Sequence, residues 1–193
     1  MSKSSILSFL FSQSLFIGFI PILTPLYSYL HPMVFFVLWI CFTGFVTYIV
    51  YAVRNETITM SYRVFLVLIG VYTIGLLILL FNRPSEQQYG NMNLIPFATI
   101  TLYLSGAANP LVAFYNLAAN IGLFVPYGLW GRRSNQSTFV VLIITIVTIS
   151  VIELTQYLTK RGSLDVDDLL LNVIGVFVGY VFYPLFYKVV RIT

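Results

Sequence analysis

Apolar residues fall in six long blocks separated by short polar stretches. The blocks lie at about residues 6–30, 33–53, 62–81, 110–130, 138–158 and 167–187. Each comes close to the roughly 20 residues that cross a hydrocarbon core as an α-helix. A span in lipid must satisfy its own backbone hydrogen bonds, so all six are read as helices. The first block is interrupted by Gln13, Pro21 and Pro25. It is long for a signal-peptide core and has no clean small-x-small cleavage site, so it is read as a retained span. The pattern predicts an all-α membrane protein: a single integral domain over 1–193 with about six transmembrane helices.

The stretch 82–109 breaks the rhythm. It begins polar (RPSEQQYGNMN) and turns apolar (LIPFATITLYL). About ten apolar residues are too few to cross, which predicts an interfacial or re-entrant helix starting near Pro96. An irregular seventh piece of bundle packing fits the same pattern.

Composition excludes the alternatives to a membrane protein. Of 193 residues, 59% are hydrophobic and 8% charged, against roughly 25% charged in a soluble domain. The single cysteine, Cys41, allows neither an intramolecular disulfide nor a thiolate cluster. The single histidine, His31, sits beside Pro32 between two apolar blocks and reads as an interfacial turn residue. One histidine cannot build an HExxH zinc site, and there is no GxxxxGK[ST] phosphate loop. No metal and no cofactor is expected. The net charge of +4 is spread over short loops rather than gathered in a run, so no nucleic-acid partner is expected. In this setting the charge reports topology. One side of a six-span bundle carries Lys3, Arg54, Arg63, Arg132, Arg133, Lys188 and Arg191, and the other Arg83, Lys160 and Arg161. The positive-inside rule then puts both termini in the cytoplasm and faces 31–32, 82–109 and 159–166 outward.

Polar residues within the last three spans recur at helical spacing. An ionisable side chain at membrane depth costs about 2.5–3.5 kcal/mol on insertion scales and marks function by default. Asn116 and Asn120 are four apart and share a face. Counted inward from Pro110, they lie roughly 9 to 15 Å deep at the helical rise. Ser150, Glu153, Gln156 and Lys160 form a stripe on the fifth span, with Glu153 roughly 10 Å below Lys160. On the sixth span Asp168, Asn172, Gly175 and Gly179 follow spacings of 4, 3 and 4. The Gly175–Gly179 step admits a close neighbouring helix. These spacings place Asn116, Asn120, Glu153, Gln156, Asp168 and Asn172 in the outer half of the membrane. They predict a polar cavity or network rimmed by Lys160, Arg161, Asp165 and Asp167, with Arg161 and Arg83 as cationic partners of the carboxylates. A hydrogen-bond network that only joins helices would use the same residue types.

Three blocks resemble the VanZ-like family: NMNLIPFATI (91–100), YNLAANIGLFVPYGLWG (115–131) and IELTQYLTKRGSLDVDDLLLNVIGVFVGY (152–180). Their order and spacing fit across 82–193, while residues 1–81 read as three generic spans without a signature. The resemblance implies a functional polar set of Asn93, Asn116, Asn120, Glu153, Gln156, Arg161, Asp165, Asp168 and Asn172, to which Arg83 of the long loop is added as a cationic partner. It also implies an outward-facing role in the envelope of a Gram-positive-like bacterium, since the family is associated with resistance to the lipoglycopeptide teicoplanin.

Three functions remain open at this level, and no catalytic residue is assigned. The first is a site in the outer leaflet that binds a lipoglycopeptide or a lipid-linked wall precursor, with membrane lipids as the other partners and loop 82–109 as a gate. The second is a membrane enzyme acting on an envelope lipid or phosphate, with Glu153 or Asp168 as base or hard-cation ligand; the lack of a histidine within the polar spans and of an activated nucleophile weighs against it. The third is a small transporter, but no inverted repeat is visible and the polar positions do not continue to the inner half.

Overall fold

The computed structural model describes residues 3–24, 32–81, 92–107 and 109–193. In chain order they form α1 (Lys3–Leu23), α2 (Pro32–Val53), β1 (Ile58–Met60), α3 (Tyr62–Phe81), β2 (Met92–Asn93) and α4 (Ala98–Leu104). There follow α5 (Pro110–Gly122), α6 (Val125–Arg133), α7 (Thr138–Leu158), β3 (Leu164–Asp165), α8 (Val166–Val189) and β4 (Val190–Ile192). Among the described residues six helical stretches are long and apolar enough to cross a membrane, α5 and α6 counting as one. Their outer faces carry apolar side chains such as Ile17, Phe45, Val67, Phe114, Val147 and Val181, all exposed. That is the surface a helix presents to acyl chains rather than to water.

The fourth span is two helices and not one. Pro126 has no N–H to offer the carbonyl of Gly122 and its ring crowds that carbonyl, so the helix cannot run through. The chain instead turns at Leu123–Phe124, where the Phe124 N–H bonds the Ile121 carbonyl three residues back (3.2 Å). A broken helix in lipid needs neighbours to satisfy its backbone. The Tyr72 hydroxyl of α3 donates to the Leu123 carbonyl at 2.6 Å.

The chain divides into two compact units, residues 1–68 with 184–193, and residues 69–183. In the first, α1 lies against α2 with Ser4, Ser8 and Ser12 buried one turn apart. The Gln13 side chain links them, accepting from Trp39 Nε1 at 2.7 Å. β1 pairs in parallel with β4, Thr59 opposite Arg191, over a small core of Tyr51, Val189 and Val190. The second unit is built on Leu76, Phe124, Val141, Ile149, Val176 and Tyr180. Within it β2 pairs in parallel with β3, Met92 opposite Leu164 and Asn93 opposite Asp165.

Candidate functional site

The first polar group of the second unit is built from three segments: the 92–104 stretch, the end of α7, and the start of α8. The buried face of α7 consists of Val141, Thr145, Ile149, Glu153 and Gln156, spaced four, four, four and three. Ser150 sits at the edge of that face, half-buried, and Lys160 is exposed beyond the helix end with φ 53°. Gln156 donates to the Leu80 carbonyl at 2.8 Å. That carbonyl belongs to the last turn of α3, where no intrahelical donor remains. Glu153 accepts the backbone N–H of Asp165 at 3.1 Å.

Asp165 and Asp167 do not form a solvated rim. Asp165 is 9% exposed and Asp167 is fully buried. Helix α4 explains the burial. Its N-cap residue is Phe97, in the left-handed region at φ 67°, with no side chain able to cap. The first N–H groups of a helix otherwise lack acceptors. The Asp167 carboxylate supplies them, accepting from Phe97 N at 2.6 Å, Thr99 N at 2.8 Å and Ile100 N at 3.2 Å. Consecutive N–H groups turned inward by a left-handed residue make a concavity for an anion, and here a carboxylate of the same chain fills it. Asp165 completes the latch. Its Oδ2 accepts from the Thr99 hydroxyl at 2.6 Å, and its Oδ1 accepts from Asn93 Nδ2 at 3.2 Å and from the Asp167 N–H at 2.9 Å. Asn93 Nδ2 also reaches Thr99 Oγ1 at 2.9 Å. The short helix after Pro96 is thus tied to the head of α8.

The second polar group lies between α5 and α8. α5 starts at Asn109, whose side chain accepts the Leu111 N–H at 2.9 Å, with Pro110 at the first helical position. One helical turn apart on this helix are Asn116 and Asn120, both half-buried. Asn120 Nδ2 donates to Asp168 at 2.5 Å. Asn172 follows Asp168 by one turn and is only 6% exposed, yet its Oδ1 accepts no hydrogen bond from the described residues. Below it the helices nearly touch. A Cβ on Gly175 would overlap the Ile121 carbonyl oxygen, and one on Gly179 the Val125 carbonyl oxygen. Gly128, which periodicity alone did not single out, faces α8 in the same way against Val176 and Tyr180 backbone.

Two cationic partners were expected for the carboxylates. Arg83 lies outside the described residues, as does His31. Arg161 is exposed, and its side chain makes no ion pair among the described residues. Among the described residues, N–H groups approach these carboxylates: the Asp165 backbone for Glu153, the Asn120 amide for Asp168, and the α4 amides for Asp167. Such charge-assisted bonds are about twice as strong as neutral ones. Among the described residues no three His, Cys, Asp or Glu side chains are grouped to hold a metal ion.

Six apolar helices, with carboxylates and carboxamides gathered among three of them, define a multi-pass α-helical membrane protein. The VanZ/LLP1 family model matches residues 33–187, and the chain belongs to that family. The match takes in α2 and α3 as well as the three polar segments. No curated protein and no solved structure matches the chain.

Proposed function

We propose that the chain is a bacterial plasma-membrane protein with both termini cytoplasmic. Its α5–α8 polar group faces outward and binds a lipoglycopeptide or a lipid-linked envelope molecule, protecting the cell from teicoplanin. Asn172 carries the reading. A buried carbonyl oxygen without a donor costs about 1–3 kcal/mol, and in a membrane span no bulk water relieves it. The Asn120–Asp168 pair, one turn away, brings fixed polarity to the same place. Asn116, half-buried, adds a side chain with no hydrogen bond among the described residues. A ligand rich in hydroxyl and amide groups and carried on an acyl or prenyl chain suits such a site: its donors reach Asn172 while its tail stays in lipid. The α4 latch fixes Phe97, Thr99 and Ile100 against the head of α8, the helix that carries Asp168 and Asn172.

Drug susceptibility of a glycopeptide-sensitive Gram-positive host tests this reading. Wild type, Glu153→Gln and Asp168→Asn are compared at matched membrane levels against teicoplanin and vancomycin. Wild type is expected to raise the inhibitory concentration of teicoplanin several-fold and leave vancomycin unchanged, with both variants losing the protection. Absence of protection from well-expressed wild type overturns the resistance role.

A further inference from the structure

The protein's net charge of +4 is concentrated in one place. The unit of residues 1–68 and 184–193 holds Lys3, Arg54, Arg63, Lys188 and Arg191 against the single acid Glu56, whereas the rest of the chain carries five charges of each sign. All five basic side chains are exposed. Backbone and side-chain bonds bring them to one end of the unit. β1–β4 pairing sets Thr59 opposite Arg191. The Tyr62 N–H, next to Arg63, donates to the Thr193 carbonyl at 2.7 Å, and the Thr193 N–H donates to Met60 at 3.0 Å. The Ser5 and Tyr51 hydroxyls are 2.8 Å apart, which draws the start of α1 beside the end of α2. Lys188 occupies the last turn of α8, directly before β4.

Topology alone needs positive charge in flexible loops and no fixed arrangement of it. Here the arrangement is fixed. Strand alternation buries Val190 and Ile192 and leaves Arg191 outside. Only Glu56 competes, and Arg54 Nε holds it at 3.0 Å. A charged platform ringed by exposed apolar helices lies at the depth of lipid headgroups, where basic residues attract anionic phospholipids. We infer that the β1–β4 platform is a docking site for anionic phospholipid headgroups, with Arg63, Lys188 and Arg191 as its principal contacts. A rigid site of this kind retains a lipid where a mobile loop would exchange it.

The test uses the full purified chain in a neutral detergent, titrated with phosphatidylglycerol or phosphatidylcholine and read by native mass spectrometry. Phosphatidylglycerol is expected to stay bound in preference to phosphatidylcholine. Each neutralisation (Arg63→Gln, Lys188→Gln, Arg191→Gln) is expected to weaken that binding about fivefold. Arg191→Lys, which keeps the charge, is expected to keep it, as is the pair Lys160→Gln, Arg161→Gln, whose residues lie outside the platform. Equal retention of the two lipids overturns the proposal, as does a preference that survives loss of all three platform charges. Should those variants fail to fold, wild type alone decides. Its preference must fall in about 0.5 M salt, where exposed charges are strongly screened, and a preference unmoved by salt contradicts the assignment.

Discussion

Gly175→Leu is expected to prevent the second unit from folding. The obstruction is backbone: a Cβ at 175 meets the carbonyl of Ile121, and no rotamer change can move a peptide oxygen. Overpacking against yielding side chains typically costs about 1–3 kcal/mol. Separating two helices along the whole Gly175–Gly179 contact costs more, and total stabilities are only about 5–15 kcal/mol. Even Gly175→Ala should lower stability by about 3 kcal/mol on that scale. Gly75→Ala on α3 is the control, since nothing lies within 4 Å of its added methyl, and it should unfold at the wild-type temperature or slightly above. Thermal unfolding in detergent reads the difference. Equal midpoints for Gly175→Ala and Gly75→Ala would contradict the close helix approach.

Asp167→Ala is expected to release the 92–104 segment while the helices stay assembled. The substitution leaves the amides of Phe97, Thr99 and Ile100 without their acceptor. A hydrogen bond to a charged group contributes about 1.5–3 kcal/mol, so loss of three far exceeds what a seven-residue helix can supply by itself. It also removes support for the left-handed Phe97, a conformation uncommon for a bulky residue. Hydrogen exchange should show these three amides losing protection by at least about a hundredfold, the equivalent of roughly 2.7 kcal/mol, with the amides of α7 and α8 unchanged. Protection that persists in Asp167→Ala would mean that the segment is held by other contacts.

The six helices were legible because lipid leaves few choices: a block of about 20 apolar residues must be helical. The break at Leu123–Phe124 was also written in the chain, at Pro126, but apolar periodicity runs straight through it. Spacing predicted which residues of α8 share a face, and Asn120 does meet Asp168. The role of Asp167 was harder to read. An acid at a helix start suits the helix dipole and is ordinarily solvated, which is why it was expected on a rim. Its real partner lies about 70 residues earlier, and periodicity within one helix says nothing of that distance. One local signal did exist. The IPFA turn opens a helix with no Ser, Thr, Asp or Asn at its N-cap, and such a terminus requires an acceptor from elsewhere in the chain. On α7 the buried stripe passes through Ile149 and not Ser150, because a step of four back from Glu153 keeps to the apolar face that the polar spacing of three leaves.

Direct binding to the wild-type chain and to Asn172→Leu tests the central claim most sharply. Both proteins, in nanodiscs, are titrated with teicoplanin and with a lipid-linked wall precursor. Leucine has the same branched heavy-atom skeleton as asparagine, with larger end groups, and no carbonyl to leave unpaired, so Asn172→Leu should be about as stable as wild type. Saturable binding of at least one probe by wild type is expected, weakened about tenfold in Asn172→Leu, the equivalent of roughly 1.4 kcal/mol. A polar group kept only for folding would give the reverse, a destabilised variant with unchanged affinity. That result, or a wild-type chain that binds neither probe, would contradict the account.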